Sequence, residues 1–310
     1  MLAWYRHRGE VADETVVASD AFWQKLRTRV IAVVLDLQRK FNPERLILCF
    51  DGHCEWRKTL WPAYKAHRKH STTFLEIFQR CVILLQSLCA HVVTADRNAD
   101  ADDVAGKDED AVSDTSRKAG DPPPDNSCTS RVAIYHPKLE ADDLVYHLVD
   151  KLVHTYAPAV TITVIANDFD YLPMLAWPNV TIKTLANKVL RVPDGLTPEQ
   201  YRQVKILSGD PSDGIPPCFP RCGKKTAYRL VHDPSALAKK LASNTAWRAQ
   251  YELNQTLIDA RRIPSEYHRW LKHTWKHVTR TLLSDTPPSN ITSAVSDAIT
   301  APTCCDTAHA

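Results

Sequence analysis

The stretch Leu46-Ile47-Leu48-Cys49-Phe50-Asp51-Gly52 decides the fold. Five apolar residues in succession, without the alternation of a half-exposed strand, describe a strand covered on both faces, as in a parallel sheet. The acid that follows lies at the carboxyl end of that strand, where open parallel sheets collect ligands. Working outward, Asn42-Pro43 ends an amphipathic helix over 22–41, whose Leu26, Val30, Val33, Val34 and Leu37 make one stripe. On the other side, the pattern predicts a helix over 74–88, a strand from His91 and another over 131–135. A helix over 141–156 follows, striped by Leu144, Val145, Leu148, Val149, Leu152 and Val153, then strands over 160–166 and 180–185. Thr197-Pro198-Glu199-Gln200 is a capping box with proline at the first helical position, opening a helix to about Leu207. Strands alternating with helices make the chain α/β, with a mostly parallel central sheet flanked by helices.

At 310 residues, 44% hydrophobic and 24% charged, the composition is that of a globular chain and excludes collagen-like, coiled-coil and wholly disordered classes. No apolar run approaches the roughly 18 to 20 residues of a membrane helix, and the first residues lack the apolar core of a signal peptide. The expectation is a soluble, cytoplasmic protein with no membrane partner. Nine cysteines, odd in number and irregularly spaced, fit reduced thiols rather than a disulfide framework. The formal charge of +3 is unevenly spread: residues 96–125 carry ten acids and four bases, a net −6, which leaves +9 on the remainder. Residues 95–130 contain no aromatic side chain and include Pro122-Pro123-Pro124, so they are expected to be a disordered acidic insertion. The expected organisation is an α/β domain over 1–195, a helical region over 196–283 and a floppy tail over 284–310.

Acids recur at the ends of the predicted elements. Asp51 follows one strand, Glu140, Asp142 and Asp143 open a helix, Asp168 and Asp170 follow another strand, and Asp210 and Asp213 follow a helix. Taken singly, each has an ordinary explanation. An acid after a strand can cap a helix or turn, and first-turn acids complement the helix dipole. Four clusters at element ends point instead to one acid-lined crevice, whose charges would repel unless hard cations neutralised them. Magnesium or manganese suits such oxygen ligands, because neither His nor Cys shows zinc spacing.

Phe50-Asp51-Gly52, Trp56-Arg57-Lys58 and Tyr64-Lys65-Ala66-His67-Arg68 resemble the 5′-nuclease family, which comprises flap endonucleases, phage 5′→3′ exonucleases and the 5′-nuclease domain of bacterial DNA polymerase I. Leu139-Glu140-Ala141-Asp142-Asp143 is similar to its Glu-Ala-Asp-Asp motif, and Asn167-Asp168-Phe169-Asp170 to its Asp-x-Asp motif. Ser208-Gly209-Asp210-Pro211-Ser212-Asp213-Gly214-Ile215-Pro216 and Gly223-Lys224-Lys225-Thr226-Ala227 resemble its helix-hairpin-helix region. The likeness is strongest to the exonucleases of short-tailed phages and spans roughly 1–235 outside the insertion. It implies a PIN-like α/β nuclease with a helix-hairpin-helix region, acting as a monomer on DNA 5′ ends, flaps or RNA–DNA primers in replication or repair. It further implies two divalent ions (Mg2+ or Mn2+), one near Asp51, Glu140, Asp142 and Asp168 and one towards Asp170, Asp210 and Asp213. Asp143 assists them, and K+ sits at the hairpin. Lys65 and Arg68 would steer the scissile phosphate as catalytic cations beside Asp51. Arg57, Lys58, Tyr64, Lys69, Gly223, Lys224, Lys225 and Thr226 would contact the nucleic acid, with Tyr64 stacking on a base.

Two departures stand out. Family members open with a strand ending in an Asp-Gly turn that supplies a metal carboxylate, whereas Met1-Leu2-Ala3-Trp4-Tyr5-Arg6 aligns with the helix after it. The hairpin has Pro217-Cys218-Phe219-Pro220-Arg221-Cys222 where the family has glycines, and two thiols fall short of a four-ligand zinc site. The alternative function is therefore a weak or inactive member that binds branched DNA. A related RNA-cleaving nuclease would share the acid-lined pocket but lack the region at 208–227.

Overall fold

The computed structural model describes residues 20–68, 72–89, 91–95, 130–283 and 291–296. In chain order it contains α1 (Asp20–Phe41), β1 (Arg45–Phe50), α2 (Glu55–Leu60), α3 (Thr72–Ser87), β2 (His91–Thr94), β3 (Ser130–Tyr135), α4 (Ala141–Tyr156) and β4 (Val160–Ile165). A 3-10 segment (Phe169–Ala176), β5 (Val180–Lys183), α5 (Pro198–Ser208) and a 3-10 turn (Pro211–Asp213) follow. Then come α6 (Lys224–Val231), α7 (Pro234–Ala242), α8 (Thr245–Ile258), α9 (Ser265–Leu283) and β6 (Ile291–Ser296). Among the described residues no helix is long and apolar enough to cross a membrane. The acidic insertion, apart from its ends, and the first nineteen residues lie outside the described residues.

The six strands form one parallel sheet in the order β2-β3-β1-β6-β4-β5. β1 is the strand its sequence promised: Leu46 to Phe50 are all buried, and alternate side chains go to opposite faces. Ile47 and Cys49 join α4 residues Leu144, Val145 and Leu148 in one core cluster. Leu46, Leu48 and Phe50 join Val30 and Val34 of α1 and Ile77 and Phe78 of α3 in the other. Helices thus cover both faces, as an all-parallel sheet requires.

The strand β6 corrects the expectation of a floppy tail. It lies between β1 and β4, with Leu46↔Ala294 on one side and Ile162↔Ser293 on the other. Ile291-Thr292-Ser293-Ala294-Val295-Ser296 has three hydroxyl side chains in six, embedded in a Ser/Thr/Pro/Ala stretch, so apolar patterning did not reveal it. The expected break after residue 195 is also not a break in the core. Leu257, Ile263, Tyr267 and Val278 bury in the same cluster as Ile134 and Leu144. The hairpin region has a separate cluster, which includes Val204, Leu207, Cys218, Phe219, Cys222, Ala227 and Leu230.

Candidate metal centre and nucleic-acid interface

Four backbone devices gather the acids at the carboxyl edge of the sheet. After β1 the chain is clamped to the loop that opens α4: Gly52 N–H donates to Leu139 O at 2.8 Å and His53 N–H to Pro137 O at 2.5 Å. A Cβ on Gly52 would stand 2.0 Å from His136 O, so only glycine permits this approach. Asp51 Oδ1 accepts from Ala141 N–H at 2.8 Å, which sets it beside Glu140, the residue that caps α4 in a capping box with Asp143. After β4, Asp168 Oδ1 caps the 3-10 segment by accepting from Asp170 N–H at 2.9 Å. At the end of α5, Gly209 turns the chain at φ +71°, and Asp210 Oδ1 accepts from Ser212 N–H at 2.9 Å. The segment 61–68 docks on that turn, with Trp61 Nε1 donating to Gly214 O at 2.9 Å and Lys65 N–H to Asp213 O at 2.9 Å. Several of these acids are therefore caps as well as crevice residues.

The chain's own cations meet most of the acids. Arg57 is buried: Nη2 donates to Asp143 Oδ1 at 2.6 Å, and Nη1 donates to Asp143 Oδ2 and Glu140 Oε2, both at 2.8 Å. Lys65 Nζ donates to Glu140 Oε1 at 2.5 Å and lies 3.8 Å from Asp213. Arg68 Nη2 donates to Asp213 Oδ1 at 2.5 Å. Lys205 Nζ donates to Asp170 and lies 3.0 Å from Asp210 Oδ2. Asp51, Asp142 and Asp168 have no such ion pair among the described residues. Burial would raise the Glu140 carboxyl, but Lys65, Arg57 and the Tyr64 hydroxyl outweigh it and hold it at about 2. Asp51 goes the other way: burial, against the Ala141 N–H and with the Glu140 charge, pushes it up to about 7. Asp142 rises through burial and the Glu140 and Asp143 charges. Asp168 rises to about 6 through its partial enclosure and Asp170, although its side chain reaches solvent at the crevice mouth. These three carboxylates hold charge at a cost that a bound cation would relieve.

Two expected nucleic-acid contacts are corrected. Arg57 is 2% exposed and spent on Glu140, Asp143 and the Leu257 carbonyl, so it cannot reach a phosphate. Tyr64 is 2% exposed and donates its hydroxyl to Glu140 Oε2 at 2.8 Å, which leaves no ring face for a base. Lys65 is buried in the crevice itself, Arg68 lies at its edge, and Lys69 lies outside the described residues. Gly223, Lys224 and Lys225 stand exposed at the start of α6, and Thr226 donates to Arg221 O at 3.3 Å. Lys58, on α2, is half-buried. The hairpin departure resolves as packing: Cys218 and Cys222 are buried thiols, and Cys218 Sγ donates to Ile206 O at 3.1 Å.

Sequence reasoning missed three participants. Lys205 sits five residues before Asp210, and only that spacing on α5 could have flagged it. Asn254, fully buried on α8, donates to Ile206 O at 2.9 Å and Pro216 O at 2.8 Å, bracing the Asp210–Asp213 turn. Cys54 forms with Glu140 and Asp143 a triad whose ligand atoms lie within 4.8 Å of one another. That triad is filled by Arg57 Nη1, 3.0 Å from Cys54 Sγ, so it does not fit a metal ion.

No protein-family model matches the sequence, and no curated protein sequence does. Solved structures do match. The T5 D15 protein co-crystallised with metal ions is similar at TM-score 0.56 and 14% identity, over 85% of this chain and 95% of that one. T5 5′-exonuclease with bound zinc is similar at 0.52 and 14%, over 81% and 90%. The bacteriophage T5 D15 flap endonuclease, in a pseudo-enzyme-product complex with DNA and metal ions, is similar at 0.52 and 15%, over 82% and 90%. At such identity the likeness speaks for architecture, and it agrees with the order of motifs in the sequence: this chain has the fold of the T5 5′-nucleases.

Proposed function

We propose that this chain is a divalent-metal-dependent nuclease that hydrolyses DNA phosphodiesters at 5′ ends or flaps, in replication or repair, as a soluble cytoplasmic monomer. The observation that carries it is the set Asp51, Asp142 and Asp168. These acids come from three segments and lack ion-pair partners among the described residues, burial raises all three, and the Lys65 charge is felt at Asp51 and Asp142. A bound Mg2+ or Mn2+ supplies an activated water and charge neutralisation at the phosphate. The chain's part is to fix the three carboxylates on rigid strand and helix ends, and to hold Lys65 and Arg68 where a phosphate would exchange for Glu140 and Asp213. Attack of hydroxide at phosphorus with departure of the 3′-oxygen gives a 5′-phosphate and a 3′-hydroxyl.

A second reading, binding of branched DNA without cleavage, has one observation in its favour: both oxygens of Glu140 are already saturated by Arg57, Tyr64 and Lys65. One experiment separates the two. With Mg2+ or Mn2+ the protein should cut flapped duplex DNA, and EDTA should stop it. Asp51→Asn and Asp168→Asn should lower turnover by about 100-fold or more while DNA affinity stays within about threefold. EDTA-resistant cleavage would overturn the proposal, and tight binding without cleavage in either metal would favour the second reading.

A further inference from the structure

The two halves of the crevice are not equivalent. On the β1–α4 side, Asp51 and Asp142 form no ion pair among the described residues, although the Lys65 charge is felt at both. On the α5 side, the gap between Asp170 and Asp210 is bridged by the ammonium of Lys205, which donates to Asp170 and stands 3.0 Å from Asp210 Oδ2. Its side chain is only 18% exposed. The helix α5 carries it one turn beyond Tyr201 and five residues before Asp210. The remaining acid of this half, Asp213, is paired with Arg68.

A divalent ion entering between Asp170 and Asp210 would have to expel a largely enclosed ammonium from two carboxylates. It would also strand that ammonium near a dication in a poorly solvated place. Asp51 and Asp142, by contrast, are held by no ion pair among the described residues. We propose that Lys205 is a resident cation that takes the position of a second divalent ion between Asp170 and Asp210, so that the crevice binds one divalent ion. This rests on the metal-dependent reading above and departs from a two-ion site. Lys205 then supplies fixed positive charge on the α5 side at every stage, and the Asp170–Asp210 pair serves to hold it.

The test is stoichiometry in the full-length chain, without DNA. Mn2+ is titrated at pH 7.5 and free ion is counted by electron paramagnetic resonance, for wild type, Lys205→Gln and Lys205→Arg. The expected result is one ion per chain for wild type and for Lys205→Arg, and two for Lys205→Gln, which loses the charge and is one atom shorter. Two ions of similar affinity in wild type would overturn the proposal, as would a single ion in a folded Lys205→Gln. If Lys205→Gln does not fold in metal-free buffer, recovery of its folded circular dichroism with two bound Mn2+ supports the assignment. Recovery with one ion, or no recovery, overturns it. No Mn2+ binding by wild type, or binding unmoved by Asp51→Asn, is a different failure, since it removes the metal-dependent reading itself.

Discussion

Asp51 shows how one residue couples stability to function. Its carboxyl is raised from the ordinary range to about 7 by burial, with the Glu140 charge contributing. A raised acid binds its proton more tightly folded than unfolded. Its contribution is therefore complete at low pH and is lost as pH climbs from about 4 towards 7, at up to about 1.4 kcal/mol per pH unit. In EDTA, the stability of Asp51→Asn relative to wild type should accordingly improve between pH 5 and pH 8, by on the order of 2 kcal/mol. Urea unfolding of both proteins at the two pH values measures it, and other titrating groups such as His136 largely cancel in the difference. A difference that does not change with pH would place Asp51 in ordinary solvent. Arg57 is the opposite case, a guanidinium that sequence likeness assigned to DNA and burial assigns to Glu140 and Asp143. Residue type alone could not distinguish these, because the same charge serves either purpose.

Among the elements, α6 is unusual at its start. Its first turn carries Lys224 and Lys225 with no acid, and Gly223 provides no side-chain cap. Cations there oppose the helix dipole, by about 0.3–1 kcal/mol each, and an exposed helix start left positive suits a phosphate. Glu at both positions should therefore act in two opposite directions. The melting temperature should hold or rise, while DNA binding weakens and its salt dependence becomes shallower by about one charge per lost contact. Thermal unfolding and binding isotherms at several salt concentrations report the two effects. An unchanged salt slope would leave α6 a merely solvated helix. The hairpin before α6 was legible as a motif but not as geometry. Proline and cysteine stand where glycines were expected, and Arg221 takes the left-handed turn at φ +60°.

For the molecule as a whole, the sheet depends on a strand far away in sequence. Among the described residues β6 alone links the β2-β3-β1 and β4-β5 halves of the sheet order, pairing with Arg45 to Leu48 on one side and Val160 to Ile165 on the other. Ending the chain after Leu283 would leave the facing backbone groups of two buried strands without partners. The truncated protein should lose cooperative unfolding, or melt at least about 10 °C lower. A synthetic peptide spanning residues 286–300 should restore part of the loss in trans. Calorimetry with and without the peptide decides it, and a truncated form as stable as the full chain would show that β1 and β4 close without β6.

Sequence by itself determined the α/β class, the strand 46–50, the helices around 22–41 and 141–156, and the four acid clusters. These follow from local rules, since periodicity, caps and turn residues act over a few positions. It did not determine β6, because a six-residue run of small and hydroxylated side chains becomes a strand only when two buried strands offer it pairing on both sides. Nor did it determine which cation meets which acid. Arg57 spans 83 and 86 positions to Glu140 and Asp143, and Lys205 reaches back 35 to Asp170. Such pairings are set by distance and burial, which exist only once the chain is folded.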